Sequence, residues 1–187
     1  MTQKNKMSNL GVPHRNELDI SDGQLLIIED DYSQLSDGQR FIVEFFRRKT
    51  ENKRIAARSD FEPAEILDYL PFISIMDVDM ATESEIRNIK VRLFGTALVD
   101  FYGEWTGRSI YGDESADSVE NVFPDTHRRV ILMVNAVIKN RKPLLLYSEQ
   151  VSIEKPHWKI SSMAIPFSKD NRNIDQILFY SELIIGA

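Results

Sequence analysis

A chain of 187 residues, 42% hydrophobic and 28% charged, has the length of one domain and enough apolar material for a real core, which excludes wholesale disorder or a fibrous repeat. Its formal charge of -6 argues against nucleic acid as a partner, because non-specific affinity for nucleic acid comes from neutralising phosphates with Lys and Arg. The lack of cysteine excludes disulfides, thiolate metal sites and cysteine nucleophiles and suits a reducing cytosol. No stretch approaches the ~20 apolar residues that span a bilayer, and Met1 to Val12 lacks the apolar core of a signal peptide, so the expectation is a cytoplasmic protein without membrane insertion.

Residues 1–23 are polar and turn-rich, with Gly11, Pro13 and Gly23, and are expected to be a flexible arm. Residues 24–53 are expected to form a strand and helix in front of the main domain. Ser36, Asp37, Gly38 and Gln39 read as a capping box that opens this helix. Phe41, Ile42, Phe45 and Phe46 fall on one side of it, and Arg47, Arg48 and Lys49 close it where cations suit the carbonyl end of the dipole. A shorter helix is predicted from near Pro63 through Ile66, Leu67 and Leu70 to a stop at Pro71.

Phe72 to Val78 reads as a strand, and between Asn88 and Phe94 the apolar Ile89, Val91 and Leu93 alternate with Lys90 and Arg92. Ala81 to Glu85 fits the hairpin loop between them. Thr96 to Tyr102 reads as one or two helical turns, broken at Gly103 and Gly107. Gly95, Gly103 and Gly107 are expected where the backbone takes a positive φ or makes a close approach. The acidic residues Asp113, Glu114, Asp117 and Glu120 lead to Pro124 and Asp125, a helix start, after which Val130, Met133, Val134 and Val137 form an apolar stripe ending near Asn140. Leu144 to Ser152, Trp158 to Phe167 and Ile174 to Leu183 then form an antiparallel meander. Pro166 cannot donate a ladder hydrogen bond, so its strand should be bulged or edge-like there.

Large apolar groups occupy both sides of several of these strands: Ile89, Val91 and Leu93 oppose Phe94, and Ile177 and Phe179 alternate with Leu178 and Tyr180. A sheet solvated on one face does not carry this pattern. The outer face is therefore expected to be covered, either by the Phe41 to Phe46 helix folding back or by the same surface of a second chain.

The order of elements, with short helical turns between the second and third strands, resembles the PAS domain. Residues 54–180 look like the stand-alone bacterial PAS proteins in five places. These are Phe61-Glu62-Pro63, Tyr69-Leu70-Pro71, Arg92-Leu93-Phe94-Gly95-Thr96, Gly103-Glu104-Trp105-Thr106-Gly107 and Ile165-Pro166-Phe167. The resemblance implies an α+β domain over residues 54–187, with a PAS-like five-stranded antiparallel sheet, helices on one face and an extra N-terminal helix. It implies a sensing module that binds a small-molecule ligand in an apolar pocket and relays the signal to a separate signalling protein. It also implies a homodimer involving the front helix.

Phe101, Tyr102, Trp105 and Tyr111 fall in the segment that walls the cavity of PAS proteins, where they either stack on a ligand or fill the space themselves. His127 precedes Val130 and Val134 on roughly one side of the long helix, with Met133 on the same stripe, so its ring is expected to face the pocket. These eight residues are the expected ligand-binding set. Haem held through His127 and non-covalent flavin are the cofactors the resemblance admits, while cysteine photochemistry is excluded. Asp77 and Asp79 are read as the polar end of a strand meeting its loop rather than as a carboxylate pair.

No phosphate cradle, serine nucleophile elbow or paired-histidine motif is present, so no catalytic or metal-binding residue is assigned and an enzyme is not expected. Two readings stand beside the sensor. One is a ligand-free adaptor whose cavity is filled by its own Trp and Phe side chains. The other is a small isomerase- or dehydratase-like enzyme using His127 with a carboxylate.

Overall fold

Strands that are apolar on both sides dictate a sheet with a layer packed on each face, and that is the arrangement adopted. The computed structural model describes residues 18–20, 23–29, 31–52, 54–82, 85–111, 122–148 and 157–185. The acidic run before Pro124, the expected strand end beyond Ser148, and most of the expected arm lie outside these residues. In chain order the elements are β1 (Leu18–Ile20), β2 (Gly23–Ile27), α1 (Asp37–Lys49), 3-10 turns over Arg58–Asp60 and Pro63–Phe72, β3 (Ile73–Met80) and β4 (Ile86–Phe94). There follow α2 (Thr96–Tyr102), β5 (Ser109–Tyr111), α3 (Pro124–Asn140), β6 (Leu144–Ser148), β7 (Trp158–Phe167) and β8 (Gln176–Ile185).

The strands form one antiparallel sheet in the order β1-β2-β6-β7-β8-β3-β4-β5. β8 is central: it pairs with β7 from Trp158↔Ile185 to Phe167↔Gln176 and with β3 from Ile73↔Tyr180 to Asp77↔Gln176. The last three strands form the expected meander and lie beside β3 and β4 in a continuous array. The expected count of five strands is corrected to eight among the described residues, because β1 and β2 extend the β6 margin and β5 extends the β4 margin. β1 falls within the segment expected to be an arm. Another correction concerns Pro63–Phe72, which forms 3-10 turns rather than an α-helix. Ile66 (φ -134°, ψ 33°) breaks the helical path, and Pro71 lacks the N–H a continuing ladder needs. β6 reaches only to Leu144, opposite Ala164, and beyond it β7 meets no strand on that side but an isolated bridge from Ala56 to Phe167, so the missing donor of Pro166 interrupts no strand ladder there.

α1 lies across the outer face. Its stripe of Ile42, Phe45 and Phe46 is buried against Ile75, Met163, Phe167 and Leu178 of the sheet, together with Phe61. The Phe46 ring centroid is 5.1 Å from those of Phe45 and Phe167 and 5.3 Å from that of Phe61, all edge-on, the geometry that ring quadrupoles favour. Of the two coverings anticipated for this face, the helix of the same chain is the one that packs there.

Hydrogen bonds fix how α1 enters. Ser36 Oγ accepts from Gln39 N at 3.1 Å, Ser36 N donates to Gln39 Oε1 at 3.1 Å, and the capping box is complete. The same two side chains also reach the sheet: Gln39 Nε2 donates to Ser161 Oγ and Ser36 Oγ to Glu182 Oε1, each at 2.6 Å. Tyr180 Oη donates to Glu182 Oε1 at 3.1 Å, and burial, followed by the Glu182 charge, raises the Tyr180 pKa. A Cβ at position 38 would come within 2.3 Å of the Tyr180 hydroxyl, so Gly38 is what lets α1 seat this closely on β8.

On the opposite, concave face, α3 buries Met133, Val134 and Val137 against the sheet, where Val91, Ile177 and Phe179 meet them. Asp77 and Asp79 stand in the more exposed last half of β3, just ahead of the turn closed by Ala81 and Glu85, as the polar strand end expected: Asp77 Oδ1 accepts from Gln176 Nε2 at 2.6 Å, and the two carboxylates face Arg92 and Arg87 across the β3–β4 pair at 3.4 and 3.3 Å. No helix among the described residues is long and apolar enough to cross a membrane.

Since Phe46 is the hub of the outer core, Phe46→Ala is expected to destabilise the chain by about 3–5 kcal/mol. Urea denaturation followed by fluorescence measures this, and a loss below ~1 kcal/mol is the contrary result.

Candidate functional site

Between the concave face of the sheet and the helices α2 and α3 lies a cavity of about 70 Å³. The sheet supplies Met76, Val91, Leu146, Ile160 and Phe179 to its wall, with Ser74, Ser162 and Ser181 as the polar members. Ser162 and Ser181 are register partners on β7 and β8, and their hydroxyl oxygens are 2.8 Å apart.

The helical wall begins at Gly95, whose N–H donates to Ile73 O at 2.8 Å and starts α2. Its φ of -67° is ordinary; space is what requires glycine, because a Cβ would lie 2.3 Å from the Pro71 carbonyl oxygen. α2 ends at Gly103, with φ +83°, and Gly107 follows with φ +84°, so the positive φ anticipated for this segment is present at both. Gly107 N donates to Val91 O at 2.7 Å and Val91 N to Arg108 O at 2.8 Å, tying the turn to β4. Trp105 is thereby held over the cavity, its Nε1 donating to Tyr102 O at 3.0 Å and its ring edge-on to Phe123 at 6.0 Å.

α3 contributes Thr126, Arg129, Val130 and Met133, the i, i+3, i+4, i+7 positions of one helical face. Arg129 is only 5% exposed, and its Nη2 donates to Thr126 Oγ1 at 3.1 Å. Burial lowers the guanidinium pKa, while the neighbouring Tyr102 and Asp125 oppose that shift; an arginine remains charged under such conditions. Tyr102 Oη is buried without a hydrogen-bond partner. Burial raises the Tyr102 pKa and outweighs the opposite influence of Arg129 and Thr126, so the phenol keeps its proton.

The chain matches no known family model, curated protein or solved structure.

Of the eight residues expected in the site, Tyr102, Trp105, Val130 and Met133 line the cavity. Phe101 lies beside it, its ring 4.7 Å from that of Tyr102 and 5.1 Å from that of Trp158. Tyr111 is 39% exposed on β5, and Val134 is fully buried in the core behind the cavity. His127 is not in the wall. Its Nε2 is buried with no hydrogen-bond partner, so no carboxylate orients the ring through that nitrogen.

Neither haem nor flavin fits the residues present: His127 does not reach the cavity, and drug-sized ligands take roughly 300–1,000 Å³ against the 70 Å³ found. Among the described residues no group of three His, Asp or Glu side chains is placed to hold a metal ion.

Arg129 and Thr126 are the site residues that sequence reasoning missed. The signal was available: both fall at helical spacing from Val130 and Met133, so a polar pair sits on the buried stripe of α3.

Because the Cβ at position 95 would meet backbone rather than a movable side-chain end, Gly95→Ala should displace α2 and cost roughly 1–3 kcal/mol. Thermal or urea unfolding is the measurement, and an unchanged midpoint is the contrary outcome.

Proposed function

We propose that this chain is a PAS-type sensing module, in which a small ligand between α2, α3 and the concave face changes how the outer face and α1 meet a separate signalling protein. One observation carries the reading: the cavity is apolar overall yet has a buried guanidinium and an unpartnered buried hydroxyl in its wall. An enclosed, mostly apolar space with a few polar groups at fixed places in its wall is the usual make-up of a small-molecule site. The continuous antiparallel array of β3, β4, β6, β7 and β8, with a long helix on one face, supports the reading too, as the PAS resemblance implies such a sheet with helices on one face.

A route for the relay is built into adjacent residues of β7 and β8. Ser162 and Ser181 face the cavity, whereas their neighbours Ser161 and Glu182 face outward and bind Gln39 and Ser36 at the start of α1. A ligand that draws on the inner serine pair pulls on the strands that hold the helix. The enzyme reading gains no support, because His127 lacks the carboxylate partner it requires.

Native mass spectrometry of gently purified protein is expected to show a retained small molecule that is lost on denaturation. Hydrogen exchange should then show slower exchange at the first turn of α1 in the occupied form. The adaptor reading replaces this one if no mass is retained and no small acid, amide or alcohol raises the unfolding temperature.

A further inference from the structure

We infer that the ligand is a small uncharged aliphatic ketone, its carbonyl oxygen accepting from the hydroxyls of Ser74 and Ser181 and its hydrocarbon body lying against Val91, Leu98, Val130 and Met133; this rests on the reading of the cavity as a ligand site.

The polar capacity of the cavity lies in its floor. Ser162 and Ser181 are register partners on β7 and β8, while Ser74 on β3 pairs with Phe179, which shares a face of β8 with Ser181. Ser74 points inward, because its neighbours Ile73 and Ile75 belong to the outer core. Ser74 and Ser181 are thus diagonal neighbours on adjacent strands, about 7–8 Å apart along the sheet and closer where their hydroxyls turn toward one another. All three serines are buried, Ser74 with 3% of its surface exposed.

The count of hydroxyl protons decides the chemistry. Each serine brings one donor, and the Ser162–Ser181 bond uses a single proton. Ser74 has no side-chain hydrogen-bond partner among the described residues, although it is buried in the cavity wall. When Ser162 donates to Ser181, the protons of Ser181 and Ser74 are both left for whatever fills the space. A buried donor left unmet is tolerated less than an unmet lone pair, so the complementary atom is an acceptor that takes two hydrogen bonds. A carbonyl oxygen does so. An alcohol or a primary amide reaches the same hydroxyls but brings donors of its own that need partners.

The state of the wall excludes a charge. Arg129, the charged residue among the described lining, donates to Thr126 Oγ1 at 3.1 Å and is under the influence of Tyr102 and Asp125, so it is engaged within the protein. A carboxylate entering here loses its hydration and gains only neutral hydroxyls in exchange, the costly case of a buried charge. The rest of the wall is mostly apolar side chains, which suits alkyl arms on either side of a carbonyl. A water-sized group needs ~10–15 Å³ of such space, so 70 Å³ accommodates about five to seven non-hydrogen atoms.

The test uses the full chain after exhaustive dialysis. Methyl isopropyl ketone, the corresponding alcohol and isobutyrate, which are matched in size and branching, are titrated at pH 7 with tryptophan fluorescence and unfolding temperature as readouts. The ketone should bind about threefold more tightly than the alcohol and at least about tenfold more tightly than isobutyrate. The infrared C=O stretch of the bound ketone should lie below its frequency in an alkane solvent, as it does for a carbonyl that accepts hydrogen bonds. Ser74→Ala removes a hydroxyl that has no partner in the empty protein. The variant should therefore be as stable as the parent or more so, bind the ketone about threefold to tenfold more weakly, and recover part of the frequency shift.

Isobutyrate or the alcohol binding as tightly as the ketone overturns the ketone assignment and leaves the cavity reading standing. Unchanged ketone affinity and an unchanged C=O frequency in Ser74→Ala overturn the proposed grip. If none of the three compounds binds while the native protein retains a small molecule, the ketone assignment alone falls. If none binds and no mass is retained, the sensing reading falls with it.

Discussion

The rest of the structure depends on the burial of one sheet from both sides. β7 is buried along nearly its whole length, and β8 along most of its own, because Met163, Ile165, Phe167 and Leu178 face α1 while Ala164, Ile177 and Phe179 face α3. Apolar burial at roughly 25 cal/mol per Å² makes each face a separate source of stability. The outer face is filled by interlocking aromatic rings. The inner face carries the small cavity that α2 and α3 close over.

Polar side chains inside such a sheet carry specificity. Gln39, Ser161, Ser162 and Ser181 are all buried, and each has a hydrogen-bond partner. They place the helix start and the cavity floor on opposite faces of the same two strands. Deleting one partner of such a pair leaves a desolvated group behind, which costs more than the bond itself contributes. The row thus fixes the register in which α1 and β8 meet, a function that apolar contacts, being non-directional, cannot supply.

Much of the fold was legible because it follows from periodicity. The capping box at Ser36, the stripe of α1, the α3 helix and the three closing strands are each set by local pattern. The failures have physical causes. β5 is three residues long, too short for alternation to register, and β1 is equally short. The 63–72 segment has the composition of a helix, but Pro71 and the non-helical Ile66 break its hydrogen-bond ladder. For the site, aromatic character located Tyr102 and Trp105 but not Tyr111, whose exposure depends on which way a short edge strand turns. Arg129 was passed over because a charged residue in a helix is usually solvated. His127 drew attention for its chemistry, although Arg129 and Thr126 are the ones on the cavity-facing stripe.

The two margins of the sheet have a further consequence. Among the described residues the outermost strands, β1 and β5, are three residues each, while the long strands β7 and β8 lie inside. Each of these short strands offers an incoming extended peptide few backbone amides to pair with. Strand addition onto β1 or β5, whether by a partner or in runaway stacking of copies, is thereby disfavoured.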